Sequence, residues 1–357
     1  MNSRERWHAV NSYGSFDRPF HWELPPFPET LWRWENEGMP GDDHLEHLVG
    51  YDRFEQLPTS VVDPCPAFHR EDLEYQGEYV LYRDTDGVIK KMHRHPQGPA
   101  MPQYCRYPIE TRTDWQRFKK RLNPDSPARL PLWWDFLKKS CEDRDFPFGF
   151  RAGSLFGRLR NWMGIERIAL SLYDDPGWVQ EMVDYMVEFF MTVLKRFIFD
   201  FQFDFAVFWE DMAYKTASLI SPQHFCKFLM PGYRKITALL HQAGIQIIAL
   251  DCDGYAEELI PLWLDCGINF IYPMEVAAGM DVVALRQKFG RDLRMAGGID
   301  KRVLARGDRH EIRQMILSKK PLMLEGGYVP GVDHLIPPDV SWDSFKYYHD
   351  LINQIHS

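Results

Sequence analysis

The stretch Ile-Ile-Ala-Leu-Asp-Cys-Asp-Gly at residues 247–254 joins a short apolar run to an acidic cluster that ends in glycine. Comparable runs occur at four other places in the second half of the chain, each followed by acidic residues or glycines and then by a helical stretch. These runs are residues 206–209, 270–272, 293–296 and 322–324. Runs this short are typical of strands buried on both faces, and each interval between them has room for one helix.

Repeated strand-then-helix units predict an α/β fold in which the parallel strands close into a (β/α)8 TIM barrel, because crossovers in one sheet share the same hand. Polar residues at the C-terminal ends of such strands gather at one mouth, where we expect the chemistry. The character of the sequence changes near residue 145. Residues 1–145 are predicted to form an irregular N-terminal extension, or lid, that includes a β-hairpin and packs on the barrel of residues 146–357.

Composition excludes several classes of protein. Of the 357 residues 45% are hydrophobic and 26% are charged, and no apolar stretch approaches the roughly 20 residues that span a bilayer. The net charge of −9 disfavours nonspecific binding to nucleic acid. The six cysteines lie far apart without a Cys-x-x-Cys pair, as in reduced cytosolic proteins, and the N-terminus lacks the apolar segment of a signal peptide. We therefore expect a cytoplasmic protein with no membrane or nucleic-acid partner.

Several strand-end segments carry a resemblance to a known family. They are Trp-Glu-Asp-Met-Ala-Tyr-Lys at 209–215, Leu-Asp-Cys-Asp-Gly at 250–254, Pro-Met-Glu at 273–275, Gly-Gly-Ile-Asp-Lys at 297–301 and Gly-Gly-Tyr-Val-Pro-Gly-Val-Asp-His at 326–334. Together they resemble the uroporphyrinogen decarboxylase superfamily, and residues 3–6 and 17–19 look like its less-characterised decarboxylase-like branch. The resemblance implies a (β/α)8 barrel with its site at the strand C-termini. That superfamily contains porphyrinogen decarboxylases and also methyltransferases that work with corrinoid proteins.

Two departures from the superfamily's patterns bear on the activity that the resemblance implies. True decarboxylases carry an arginine-rich N-terminal segment that grips the carboxylates of the substrate, and a Gly-His-Gly near the last strand. This chain lacks the first and has Gly-Gly-Tyr at 326–328 in place of the second. Binding several carboxylates calls for several bidentate arginines, so these departures favour a methyltransferase. Such an enzyme would take a methyl group from a small methylated substrate, for example an O-methyl ether, and pass it to a corrinoid on another protein.

The same comparison bears on a metal site. The zinc methyltransferases of the superfamily carry His-x-Cys-Gly at the strand end that here reads Asp-Cys-Asp-Gly at 251–254, and their last cysteine is absent from this chain. Oxygen ligands therefore replace the sulfur and imidazole ligands, and we expect a site of Glu210, Asp251 and Asp253 that would admit a divalent metal such as zinc. Because side chains alternate along a strand, Cys252 is expected to point away from it.

Polar residues at or just after the predicted strand ends are the catalytic candidates. They are Glu210, Asp253, Asp300, Tyr328 and His334. A carboxylate at a strand end can act as a base, a metal ligand or a hydrogen-bond acceptor, and a mobile tyrosine and a histidine on the loop after the last run suit substrate binding and proton transfer. We expect Glu210 and Asp253 to polarise or protonate a leaving group, directly or through a metal, while Tyr328 and His334 orient it.

Each candidate also has a structural interpretation. Glu210 and Asp211 follow the same strand, and we assign function to Glu210 and a helix cap or an ion pair with Lys215 to Asp211. Asp253 suits a helix cap as well as it suits a shared proton. Asp300 also fits an ordinary helix start.

Substrate-binding candidates complete the predicted site. They are Arg151, Glu275 and Gly298. Two other functions stay open: decarboxylation of a porphyrinogen or a smaller carboxylate by Arg151 and Asp300, and a corrinoid- or tetrapyrrole-binding protein without catalysis. The sequence does not give the oligomeric state.

Overall fold

A computed structural model describes residues 1–41, 44–58, 61–94 and 101–356 of the chain. The helices are α1 (Ser3–Asn11), α2 (Pro28–Asn36), α3 (Leu45–Val49), α4 (Arg112–Phe118), α5 (Trp134–Ser140), α6 (Phe156–Met163), α7 (Ile165–Asp174), α8 (Pro176–Lys195), α9 (Pro222–His224), α10 (Met230–Gln242), α11 (Ile260–Asp265), α12 (Val282–Phe289), α13 (Lys301–Arg306), α14 (Arg309–Glu325) and α15 (Trp342–Asn353). The strands are β1 (Glu55–Gln56), β2 (Glu71–Gln76), β3 (Tyr79–Arg83), β4 (Ile89–His93), β5 (Gln103–Arg106), β6 (Phe148–Gly153), β7 (Phe205–Trp209), β8 (Ile247–Asp251), β9 (Phe270–Met274), β10 (Arg294–Ile299) and β11 (Tyr328–Val332). Within the described ranges, none of the helices combines the length and the apolar character needed to cross a bilayer.

The larger sheet is parallel throughout and has seven strands in the order β1-β6-β7-β8-β9-β10-β11. Alternate residues of its strands, such as Phe205 and Val207 of β7, meet in one apolar cluster on the concave face, while the residues between them face the surrounding helices. Each connection from β6 to β11 contains at least one helix. The predicted α/β fold with a curled parallel sheet is therefore confirmed. Among the described residues this sheet has seven strands, where a closed barrel of the predicted kind would have eight.

Helix α1 fills the N-terminal end of the concave face. The ring of Trp7 packs against Phe205 and Phe270, the first residues of β7 and β9, with ring centroids 5.5 Å apart in each case. Asn2 caps the helix, because its side chain accepts the N–H of Glu5 while the Glu5 carboxylate accepts the N–H of Asn2. Since this end is filled, a ligand would reach the concave face from the C-terminal ends of β6–β11, which we call the mouth.

The N-terminal extension takes part in both sheets. Strands β2 to β5 form a separate antiparallel sheet in sequence order, and the pairing of β3 with β4 confirms the predicted hairpin. Strand β1 instead pairs with β6 and so extends the parallel sheet. Trp34 and Trp115 of the extension belong to the same hydrophobic cluster as Phe156 and Met182 of helices α6 and α8. The extension and the predicted barrel therefore share one core.

The predicted strand at residues 322–324 is wrong, because these residues form the last turn of α14 and the strand begins at Tyr328. An apolar run of three residues does not distinguish a buried helical turn from a buried strand. Gly326 and Gly327 make the change of direction, with φ angles of 93° and 64° that glycine adopts without steric cost. Tyr328 consequently lies in β11 and not on a loop.

Candidate functional site

Three carboxylates converge at the mouth. Asp251 is the last residue of β8, and Asp211 and Asp253 follow the ends of β7 and β8. One oxygen atom of each lies within 4.8 Å of the others, and the Asp253 N–H donates to Asp211 Oδ1 over 3.3 Å. Asp211 has a φ of 38°, a left-handed conformation that aspartate tolerates better than most residues. We call Asp211, Asp251 and Asp253 the acidic cluster.

The acidic cluster disfavours full ionisation. Burial raises the pKa of Asp251 well above its ordinary value, and the charges of Asp211 and Asp253 add to the shift while Arg151 opposes it. Burial and the charge of Asp253 also raise the pKa of Asp211, against an ion pair with Arg160 at 3.2 Å. Crowded carboxylates resist simultaneous ionisation. The acidic cluster therefore favours a bound proton, or a cation in its place.

His334 is joined to the acidic cluster by a hydrogen bond. Its Nε2 donates to Asp253 Oδ2 over 3.2 Å, and this bond raises the pKa of the imidazole despite partial burial. Glu275 lies beside the same turn, where its carboxylate accepts the N–H of Gly254 over 3.1 Å, and Lys301 Nζ is 3.8 Å from it. The structure thus brings Asp251, Asp253, His334 and Glu275 to one region of the mouth.

Glu210 faces the other side of β7. Its carboxylate accepts the backbone N–H groups of residues 155–157 at 2.7–2.9 Å and also the hydroxyl of Tyr233. The side chain is completely buried; burial raises the pKa of Glu210, and these hydrogen bonds act against that shift. Glu210 therefore binds the first turn of α6, where unpaired N–H groups and the helix dipole favour a carboxylate.

The expected assignment of the neighbours Glu210 and Asp211 is reversed by this arrangement. Glu210 holds a helix start, whereas Asp211, which we assigned to structure, joins Asp251 and Asp253. The predicted ligand set of Glu210, Asp251 and Asp253 is not brought together, because side chains alternate along a strand and Glu210 falls on the outward face. As predicted from the same alternation, Cys252 points away from the acidic cluster and packs in the hydrophobic cluster on the outward face of the sheet. Burial there raises the pKa of its thiol well above the ordinary value.

Three further candidates lie outside the acidic cluster. Asp300 caps α13 by accepting the N–H of Arg302 over 2.9 Å and pairs with the guanidinium of the same arginine. Tyr328 is completely buried, and its hydroxyl donates to the carbonyl oxygen of Gly297 over 2.7 Å, so it is not the mobile aromatic that we expected. A Cβ atom at Gly298 would lie 2.6 Å from Val282 Cγ1. Gly298 therefore permits the close approach of α12 to the sheet.

One cavity includes a residue of the acidic cluster in its wall, and another is lined by Arg151, whose charge acts on Asp251. The latter, of about 470 Å³, is lined by Arg151 of β6 together with Trp22 and Phe54 from the extension. The other, of about 520 Å³, has Asp211 and Arg160 in its wall beside a group of aromatic side chains. These are Tyr104, Tyr107, Trp209 and Tyr214. The mouth therefore offers two spaces of small-molecule size, each of which places an arginine beside the carboxylates.

Sequence reasoning missed the role of Asp211 and the aromatic wall. The sequence did contain a signal for Asp211, because side chains alternate between the two faces of a strand. The alternation that directs Cys252 outward also directs Glu210 outward, and it leaves Asp211 to face the concave side. No comparable signal marked Tyr104 and Tyr107, because strand β5 and the loop after it approach the mouth only through the tertiary fold.

The chain also has relatives among known proteins. The family model described as uroporphyrinogen decarboxylase (URO-D) matches residues 92–355, a region that begins before the predicted boundary at 145. No curated protein matched the sequence. Among solved structures, a methyltransferase from Methanosarcina mazei is similar, with a TM-score of 0.63, 12% sequence identity and coverage of 99% of each chain. At this identity the likeness shows the fold alone.

Proposed function

The chain belongs to the uroporphyrinogen decarboxylase family, and from this premise we propose that it is a methyltransferase that demethylates a small, uncharged methylated substrate. The observation that carries the proposal is the acidic cluster itself. Three carboxylates at the mouth would repel a substrate rich in carboxylates, such as a porphyrinogen, whereas they would admit a neutral ether. We also propose that the seven-stranded sheet is part of a (β/α)8 barrel.

Asp251 is the proton donor in this proposal. Its raised pKa favours the protonated carboxyl group, and an ether oxygen is a poor leaving group unless it gains a proton. The carboxyl group donates its proton to the oxygen as the methyl–oxygen bond breaks, and the oxygen keeps the bonding electron pair. Asp251 then recovers a proton from water. A reduced corrinoid on a partner protein would supply the electron pair that takes up the methyl group.

The surrounding residues orient the substrate and restore the charge. Asp211 lines the aromatic cavity, whose rings would pack against an apolar or aromatic part of the substrate. His334 donates a hydrogen bond to Asp253 and so orients that carboxylate. Arg160 pairs with Asp211 and limits the net negative charge at the mouth.

The acidic cluster also fits a divalent metal. Three carboxylate oxygens within 4.8 Å of one another are hard ligands of the kind that Mg²⁺, Mn²⁺ and Zn²⁺ accept. Such an ion would polarise the substrate oxygen. The residues that would hold it are Asp211, Asp251 and Asp253.

The test is a demethylation assay with chemically reduced free cobalamin, a panel of aliphatic and aromatic methyl ethers, and mass spectrometry of the products. We expect a demethylated product from at least one donor with the wild-type protein and with Asp265→Asn, which removes an exposed carboxylate elsewhere. The double variant Asp211→Asn/Asp251→Asn should form no product. If no ether is demethylated, with or without added divalent metal ions, the proposal fails.

Decarboxylation is the second candidate, and the position of Arg151 favours it. This arginine is exposed on β6 and lines the cavity of about 470 Å³, where its guanidinium would bind a substrate carboxylate. Product analysis with uroporphyrinogen and with smaller carboxylates distinguishes the two activities. Release of carbon dioxide by the wild-type protein and its loss in Arg151→Gln would support decarboxylation over methyl transfer, and tight tetrapyrrole binding without turnover would support neither.

A further inference from the structure

A second group of potential metal ligands lies beside β11 and shares no residue with the acidic cluster. His21 and Glu23 come from the segment between α1 and α2, and His349 comes from α15. Their side chains are at most 1% exposed, and one ligand atom of each lies within 4.8 Å of the others. The proposed methyl transfer does not use these residues. We call them the buried triad.

The distances within the buried triad match those of a metal site. Glu23 Oε1 lies 3.3 Å from His21 Nε2 and 3.7 Å from His349 Nε2. A tetrahedral zinc ion with bonds of about 2.0–2.2 Å holds its ligand atoms about 3.3–3.6 Å apart. The hydroxyl of Tyr348 lies 2.6 Å from Glu23 Oε1 and 3.3 Å from His21 Nε2. The hydroxyl therefore donates a hydrogen bond to the carboxylate.

Two features of the buried triad would destabilise the folded chain if no cation were bound. Both ring nitrogens of His349 are buried and have no hydrogen-bond partner among the residues that the structure describes, although buried polar atoms are nearly always paired. The carboxylate of Glu23 is buried as well, and in the described parts of the chain its ion pairs are with His21 and His349 and not with lysine or arginine. A divalent ion between the three side chains would give the imidazole a partner and balance the carboxylate.

We propose that His21, Glu23 and His349 bind a divalent transition-metal ion, zinc foremost, in a structural site. The two imidazoles and one carboxylate are ligands that zinc accepts, and complete burial leaves no open position for a substrate. The site would fasten the N-terminal segment to α15 across β11, the edge strand whose Val332 N–H donates to Glu23 Oε2 over 2.8 Å.

The same segment also reaches the opposite edge of the sheet. The His21 N–H donates to Asp52 Oδ2 over 3.0 Å, and the Asp52 N–H donates to the carbonyl oxygen of His21 over 2.7 Å. Asp52 lies just before β1, the other edge strand. A metal ion at the buried triad would therefore join the two ends of the curled sheet through one short segment.

The first measurement is the metal content of the full-length protein after supply of Zn²⁺ and removal of loose ions on a chelating resin. We expect about one zinc per chain, retained in the variant Asp211→Asn/Asp251→Asn/Asp253→Asn, because that variant removes only the ligands at the mouth. X-ray diffraction at the zinc absorption edge should place the anomalous peak between His21 Nε2, His349 Nε2 and Glu23. A wild-type protein without tightly held zinc, or a crystal without an anomalous peak between these three side chains, overturns the proposal, as would a water molecule seen at this position.

The decisive variant is His349→Phe, which keeps the ring and its packing on Phe345 but removes both nitrogens. If the nitrogens bind no metal, this substitution should leave the melting temperature unchanged or raised, since it removes buried unpaired polar atoms. We expect instead the loss of the bound zinc and a lower melting temperature that added Zn²⁺ no longer raises. His310→Phe, at an exposed position of α14, is the matched control and should keep the metal. Retention of zinc by a folded His349→Phe protein would contradict the proposal even if methyl transfer is established.

Discussion

Carboxylates lie at the C-terminal ends of the parallel strands on both faces of the sheet, outward and concave, and the surroundings of the two groups are opposite. On the outward face, Glu210 accepts three backbone N–H groups and the hydroxyl of Tyr233. On the concave face, Asp251 has Asp211 and Asp253 as charged neighbours, and Arg151 opposes their effect. A buried carboxylate whose oxygens are filled by donors stabilises the fold. One that is crowded by other carboxylates weakens it slightly and remains available for chemistry.

The largest effect should follow from Asp251→Asn. If Asp251 is the proton donor, the rate of demethylation should fall by about 10³-fold, within the range of general acid catalysis. The free energy of unfolding should stay the same or rise, because the amide, like the protonated carboxyl group, places no charge beside Asp211 and Asp253. Steady-state kinetics and urea denaturation of the same preparation give both numbers. Full activity in this variant would show that Asp251 is not the proton donor. A large loss of stability would show that Asp251 stabilises the fold, as Glu210 does.

Glu210→Gln tests the outward face. The amide NH2 group would oppose backbone N–H donors, so we expect the free energy of unfolding to fall by about 3 kcal/mol. Activity measured well below the melting temperature should change little. Asp211→Asn, at the adjacent position, is the matched control and should show the reverse: stability kept and activity reduced. A stable Glu210→Gln protein with no activity would restore the catalytic role that the sequence suggested for Glu210.

The comparison of the two faces also shows how far the sequence could be interpreted. The run at 247–250 and the hairpin in the extension were predictable because their patterns are local and long enough to be distinctive. The run at 322–324 was not, because three apolar residues fit a helix end equally well. The roles of Glu210 and Asp211 could have been assigned correctly from the alternation of side chains along a strand.

Other parts of the site depend on tertiary structure. Tyr104 reaches the mouth from the extension, and His21 meets His349 from the opposite end of the chain with ring centroids 4.4 Å apart. No local pattern marks such a contact, since it forms only when distant segments pack. The strand ends of the site could therefore be predicted, whereas the walls and the buried triad could not.

Asp204, just before β7, extends the comparison to a carboxylate with still more donors. It accepts hydrogen bonds from Arg4, His8, Arg144 and the Phe148 N–H at 2.7–2.9 Å. Burial by itself would raise the pKa of Asp204, but these bonds outweigh it and lower the pKa to about 2. Asp204→Asn should therefore cost about 2 kcal/mol at neutral pH.

The pH dependence of that loss follows from the lowered pKa. A carboxylate with a depressed pKa contributes its full stability above its ordinary pKa of about 4, and the contribution disappears as the pH falls through the folded value near 2. The difference in unfolding free energy between wild type and Asp204→Asn should accordingly shrink between pH 4 and pH 2. Asp265→Asn serves as the control and should show no such trend. A difference that is constant over this range would mean that the ionised form of Asp204 contributes nothing.

The smallest effect is expected at His334, where the two kinds of carboxylate meet. Asp253 belongs to the acidic cluster and also accepts a hydrogen bond from His334, which raises the pKa of the imidazole. A raised pKa means that protonated His334 stabilises the folded chain below the ordinary value near 6.5 and that this contribution is lost as the pH rises through the folded value. Because the pair is partly exposed, His334→Gln should cost less than about 1 kcal/mol at pH 6 and nothing at pH 9.

Titration of the His334 imidazole by NMR in wild type and in Asp253→Asn measures the cause of the raised pKa directly: the variant should return the pKa toward its ordinary value. An imidazole pKa that is unchanged by Asp253→Asn would show that the hydrogen bond to Asp253 does not cause the shift.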